Sequence, residues 1–431
     1  MMNQERQRAR RDILSDGIAW AGHAALGLFV FSVPVLYMSA SLSLEWLVQP
    51  LGILAIVANL PNFRWRGLHP AMLCLGALWL YFAVTAFDSD QAYVSDFFMV
   101  YGKFTALAIV LSLQMRTRAQ STVVLAALAV SVVVVAYISR EQLLSAGAAA
   151  ARVAASRIGE ARTAGVFANS NQLGTYAALA GVAALTLLAR ATSRLLWPLI
   201  GGAVLCAAQL ALFSGSRKAV LGMAFVCGYA AWEVMQLNRR RRGIILSLAV
   251  AGGIVAGGLI WWRANPFIAR FSTEDASFVA RADLLRGSWE MWAKAPLLGS
   301  GYRAFELTDV SGLYTHSTPM EMLVSGGVVA LLLYLVLFVS GFISFRRCLA
   351  AERDPRERMV LVGLGCLWTM LFMFSLFTVI LEEKIFLVTA GCLAGILGRQ
   401  EADIRRRRQA RRTLASPAER QPCVLSSKYR P

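Results

Sequence analysis

Apolar residues gather along this chain into long runs, each closed by a short polar link. A helix rising about 1.5 Å per residue needs about 20 mostly apolar residues to cross a bilayer. Runs of that kind fall near 18–40, 43–60, 68–87, 97–115, 121–138, 173–190, 195–213, 217–237, 243–262, 320–345, 359–381 and 385–398. The pattern predicts an all-α, polytopic membrane protein of about twelve transmembrane helices. The links leave no room for soluble domains, except at 139–172 and 263–319. Composition agrees: 57% of residues are hydrophobic and 16% charged, where a soluble domain carries about a quarter charged.

The organisation expected from this is a basic N-terminus over 1–17, a membrane domain over 18–398 and a basic, disordered tail over 399–431. The first apolar run follows a polar, basic start and lacks a small-residue cleavage site, so it is expected to stay as the first span.

Charge then sets the topology. The chain holds 43 Lys and Arg against 25 Asp and Glu, a formal +18. Short loops rich in Lys and Arg mark the cytoplasmic side. The clusters Arg6–Arg11, Arg64 with Arg66, Arg116 with Arg118, Arg190 with Arg194, Arg239–Arg242, Arg346–Arg358 and Arg405–Arg412 all fall on one side when spans are counted from an inner N-terminus. The acidic link Asp88, Asp90, Asp96 falls on the other. Basic runs in such a chain meet anionic lipid headgroups, so no nucleic-acid partner is expected. The seven cysteines lie in spans or on the inner side, which predicts neither disulfides nor a metal centre. No P-loop or dinucleotide motif is present, and no cofactor is expected.

Three outer segments depart from the charge rule. Segment 139–172 holds Arg140, Arg152, Arg157 and Arg162, and segment 263–319 holds Arg263, Arg270, Arg281, Arg286, Lys294 and Arg303. Long loops translocate whatever their charge, so the tight turn Ser214-Gly215-Ser216-Arg217-Lys218 is the sharper signal. Ser216 is placed to cap the eighth span, with Arg217 and Lys218 in its first turn, where cations oppose the helix dipole. The alternatives there are headgroup contact by snorkelling side chains or a phosphate site built from backbone N–H and Arg.

Phe278, Leu285, Trp289 and Trp292 recur at helical spacing and predict an amphipathic interfacial helix, stopped by Pro296, Gly299 and Gly301. Arg281 and Arg286 ride on it, facing either solvent and lipid or a site. Further on, His316 stands just ahead of Thr318-Pro319-Met320-Glu321, whose spacing predicts a capping box with Pro319 at the first helical position. Glu321 is read as a cap partner only. A lone interfacial histidine is commonly structural, yet imidazole is also the side chain best suited to general-base work near neutral pH.

Together these residues resemble the O-antigen ligase family, which also contains O-antigen and exopolysaccharide polymerases. The matching stretches are Arg162 through Gly165, Phe167, Asn169, Asn171 and Gly174, then Ser214-Gly-Ser216-Arg217, then Arg281 to Trp289 with Ala295 to Gly301, and last His316 to Gly326. The likeness covers roughly residues 160–345, while the first 150 residues match in hydropathy alone. The family commonly has Asn directly after the histidine, where this chain has Ser317.

The resemblance implies a type C glycosyltransferase-like fold with a large periplasmic loop, in a bacterial inner membrane. It implies a metal-independent, inverting transfer of a glycan from undecaprenyl diphosphate to a hydroxyl acceptor on a glycolipid or growing polysaccharide. On the matched positions His316 is the catalytic base, and Arg217, Arg281 and Arg162 bind the diphosphate. Asn171, Lys218 and Arg286 are further substrate-binding candidates. A transporter or flippase could share the topology, but would carry ionisable residues deep in its spans. Here Lys103 can snorkel outward and Glu233 lies near an inner end. A scaffold subunit of a polysaccharide assembly would not need the Arg217, Arg281 and His316 set.

Overall fold

The computed structural model describes residues 2–37, 47–63, 68–87, 92–141, 170–191, 193, 195–214, 216, 218–219, 222, 276–308 and 315–415. Among these every regular element is helical. The elements are α1 (Met2–Ser32, running into a π-turn at Val33–Tyr37), α2 (Val48–Ala58), α3 (Pro70–Phe87), α4 (Ala92–Gln114), α5 (Arg118–Ile138), α6 (Ser170–Leu188), α7 (Leu196–Phe213), α8 (Ala276–Lys294), α9 (Ala304–Thr308), α10 (Thr318–Ala351), α11 (Pro355–Ser375) and α12 (Lys384–Ala415).

Seven helical stretches are long and apolar enough to cross a membrane, and three shorter apolar helices, at 48–58, 70–86 and 98–114, accompany them. The chain is a multi-pass, all-α membrane protein. The expected spans 217–237 and 243–262 lie outside the described residues, apart from Lys218, Ala219 and Gly222, which are helical. Boundaries differ from expectation where local chemistry acts. Asn59 and Pro61 close α2 after Ala58. The chain leaves α11 at Ser375 and crosses a 3₁₀ turn, Ile380–Glu382, before α12. The expected tail from 399 is helical as far as Ala415, with the i,i+4 pairs Arg399–Asp403 at 3.8 Å and Glu401–Arg405 at 3.5 Å along it.

The helices pack through small residues, as membrane helices do where backbones approach closely. A Cβ on Gly391 would meet the Ala108 carbonyl oxygen at 2.5 Å, which brings α12 against α4. Large leucines face outward instead: Leu80 is 75% exposed and Leu195 84% exposed, a surface suited to lipid rather than water.

One end of the bundle is built from arginines. Arg190, after α6, bonds Ser121 Oγ at 2.6 Å and Thr122 Oγ1 at 2.7 Å on α5. Its guanidinium also meets Glu357 at 3.5 Å, and Glu357 lies 3.4 Å from Arg118. Three basic clusters that the charge pattern assigned to one side therefore meet in one network. Thr117 caps α5 in a full capping box with Gln120, and Gln120 passes the contact to Asn59 Oδ1 at 2.8 Å.

The opposite end holds the starts of α6, α10 and α12, and here α10 is broken. Gly327 has φ 62°, outside helical geometry. The turn from Pro296 to Gly301 supplies the missing hydrogen bonds. Ser300 N–H donates to the Val324 carbonyl at 2.7 Å and Gly301 N–H to the Ser325 carbonyl at 3.1 Å. In return Val328 N–H donates to the Pro296 carbonyl at 3.0 Å. Backbone polar groups at membrane depth must find partners within the protein, and this loop supplies them. Only glycine fits the joint: a Cβ on Gly299 would overlap the Gly326 nitrogen, and one on Gly327 the Leu297 carbonyl.

Candidate functional site

The break in α10 fixes what lies above it. α8 packs on α10 through a small core of Leu284, Phe305 and Val324, with Met291 and Trp292 against it. The stripe expected to be apolar, Leu285 and Trp289, faces outward, 42% and 55% exposed. α8 is therefore amphipathic with two apolar faces, one on α10 and one free to meet lipid. Arg281 is half-buried on this helix. Arg286 is exposed, about 140° further round at 100° per residue.

His316 precedes α10 in a left-handed backbone conformation, φ 57°. Histidine enters that region more readily than most residues, at a cost the surroundings must meet. Those surroundings are polar and buried. Thr315 Oγ1 lies 2.9 Å from the Ser317 carbonyl and 3.0 Å from Glu321 Oε2, and Ser325 Oγ donates to Glu321 Oε1 at 2.9 Å. This corrects the reading of Glu321 as a cap partner. The N-cap is Ser317, with no side-chain cap bond, so the helix starts one residue earlier than expected. Thr318, the expected cap, donates instead to the Thr378 carbonyl at 2.6 Å and accepts the Ile380 N–H at 3.0 Å. Glu321 thus braces the turn that carries His316, and Thr318 ties that turn to the α11–α12 link.

The His316 imidazole is half-buried, and its pKa is pushed down to about 4 by that burial and by the positive charges of Arg281 and Lys218. Residues 98 apart in sequence, Lys218 and His316, are thus electrostatic neighbours, with Arg281 the third. The small residue Gly174 explains how α6 comes alongside: a Cβ there would meet Ser216 Cβ at 2.6 Å and Ala219 Cβ at 3.1 Å. That contact sets Asn171, half-buried in the first turn of α6, at the same end. Ser216 does not cap with its side chain, whose Oγ is buried without a hydrogen-bond partner among the described residues. Arg217 and Arg162 lie outside the described residues.

Sequence reasoning missed Glu383. Its carboxylate accepts from Gln172 Nε2 at 3.2 Å to each oxygen. Burial raises its pKa, against the Gln172 hydrogen bond and the Lys218 charge. The available signal was Glu382-Glu383, two acids in a three-residue link between apolar runs, on the side expected to be outer. A small cavity lies beside Glu383, lined by Gln172, Thr175, Phe374, Thr378, Glu383 and Phe386 among others. Among the described residues no group of three or more His, Cys, Asp or Glu gathers as metal ligands.

Comparison with known proteins agrees with this part of the chain. Residues 201–335 match the family model described as O-Antigen ligase. The chain is also similar to the "Exopolysaccharide production protein ExoQ" of Rhizobium meliloti (strain 1021), 30% identical over 223 residues, which cover 47% of this chain and 51% of that protein. The chain thus spans about half the length of the curated relative it matches. The region matched by the family model holds Ser214, Arg217, Lys218, Arg281, His316 and the broken start of α10, and through it the chain is similar to the O-antigen ligase family.

Proposed function

We propose that the chain is a type C glycosyltransferase-like enzyme of the bacterial inner membrane. It moves a glycan from undecaprenyl diphosphate to a hydroxyl acceptor at the periplasmic face, as an O-antigen ligase would. The observation that carries this reading is the gathering of Arg281 and Lys218 around a half-buried His316 beside the broken α10.

The acceptor hydroxyl oxygen attacks the anomeric carbon from the face opposite the diphosphate, so the centre inverts. The glycosyl C–O bond breaks and its electron pair leaves on the diphosphate. Arg281 and Lys218, with Arg217 and Arg162 as further candidates, are fixed positive charge where that negative charge develops. His316 takes the hydroxyl proton. Burial and two cations hold the imidazole neutral but weakly basic. A bound diphosphate offsets them and strengthens the base when it is needed. The bond to diphosphate supplies the driving force, so neither ATP nor a metal has a step to perform.

A second reading, polymerisation of exopolysaccharide by the same chemistry, is favoured by the likeness to ExoQ. Purified protein in proteoliposomes, given an undecaprenyl-diphosphate-linked glycan and either a glycolipid or a second lipid-linked repeat, separates the two. Transfer to neither acceptor contradicts both.

A further inference from the structure

The family-model match ends at residue 335, whereas Glu383 lies just ahead of α12. An acidic residue preceding a helix ordinarily turns back to cap its own first turn. The Glu383 carboxylate instead crosses to α6, where it takes both of its oxygen contacts from Gln172. Only its backbone carbonyl serves α12, accepting the Leu387 N–H at 3.1 Å.

Three contacts hold it in register with the site. Gly174 lets the first turn of α6 press on Ser216 and Ala219, on either side of Lys218 in the chain. Gly222 presses on Phe374, which lines the same cavity as Glu383. Thr318 grips Thr378 and Ile380, coupling the link before Glu383 to the helix start beside His316. Among the described residues, Lys218 is a cation felt by both His316 and Glu383.

A half-buried carboxylate is out of place in a pocket meant only to attract diphosphate, since it repels the ligand. It has a use if the cations must be kept in position before the ligand arrives. Positive groups gathered for a diphosphate repel one another in the empty site, more strongly the less water is present. Resting on the proposed function, we propose that Glu383 is a positioning residue of the transfer site, holding the Lys218 ammonium beside His316 and, through Gln172, the entry of α6 against it.

The experiment is a double-mutant cycle of Glu383→Gln and Lys218→Met in the full-length protein, assayed for transfer from lipid-linked donor, with Glu383→Asp as the charge-keeping variant. Each single change is expected to lower kcat/KM about tenfold, mostly through donor KM, with the double variant no worse than Lys218→Met alone. Glu383→Asp should recover more activity than Glu383→Gln, with melting temperatures alike. Additive losses, full activity of Glu383→Gln or of Lys218→Met, or a loss that follows melting temperature and is not rescued by Asp, would each overturn the proposal. If the wild type itself transfers nothing, the functional reading fails and this inference falls with it. If the wild type transfers but the cycle is additive, only the role of Glu383 fails.

Discussion

Thr315 and Glu321 meet at 3.0 Å across the start of α10, hydroxyl to buried carboxylate, with His316 held in the turn between them. Ser325 satisfies the other carboxylate oxygen. The turn would otherwise have to keep a histidine at φ 57° by itself.

Removing the brace should therefore cost more than a cap. Glu321→Ala leaves the Thr315 and Ser325 hydroxyls to find new partners in a buried place, which costs about 1–3 kcal/mol. It should lower both melting temperature and transfer rate. Glu321→Gln keeps one acceptor oxygen and should lose less of each. Thermal melts and turnover measured side by side check this; an Ala variant as stable and active as wild type removes the bracing role.

The joint between the 296–301 turn and α10 makes a second test. Gly299→Ala requires an L-residue at φ 73° with its Cβ overlapping the Gly326 nitrogen. It should cost about 1–3 kcal/mol in strain alone. Gly201→Ala, on α7 with open space around its Cβ, should be neutral or stabilising by up to about 1 kcal/mol. Melting in detergent separates the two; equal behaviour contradicts the close packing described.

Acid profiles test the electrostatics of His316. Its pKa is pushed down to about 4, because burial, Arg281 and Lys218 all disfavour the imidazolium. Transfer needs the neutral base, so activity falls as pH drops through that pKa. The acid limb of kcat/KM, which reports the free enzyme, should lie near 4. The limb of kcat, which reports the donor complex, should lie higher, because the diphosphate offsets the two cations. Arg281→Ala should raise the kcat/KM limb by removing one of the depressing charges. A kcat limb below that of kcat/KM would contradict the offset.

Much of this was legible in the chain, for reasons that differ by element. Spans such as α5 and α10 were readable because about 20 apolar residues in a row have few alternatives. The one-sided Arg118, Arg190 and Arg346–Arg358 clusters foreshadowed the arginine end, since loop charge is a local property. Pro296, Gly299 and Gly301 announced a turn but not its destination, because a broken ladder in α10 leaves no mark beyond Gly326-Gly327. Glu321 was misread for a related reason. Capping spacing is a short-range signal, and the pull of Thr315 and Ser325 on the carboxylate appears only in three dimensions. Glu383 was passed over because an acid at a span end is unremarkable until Gln172, 211 residues away, is found bonded to it.

The central claim is that His316 accepts the proton of the attacking hydroxyl. The measurement that meets it most directly is single-turnover transfer by His316→Ala from an undecaprenyl-diphosphate-linked glycan in proteoliposomes, beside wild type of equal insertion and melting temperature. A loss of about 10²- to 10⁴-fold in rate, with donor binding largely kept, is the predicted result. Transfer at the wild-type rate would contradict it.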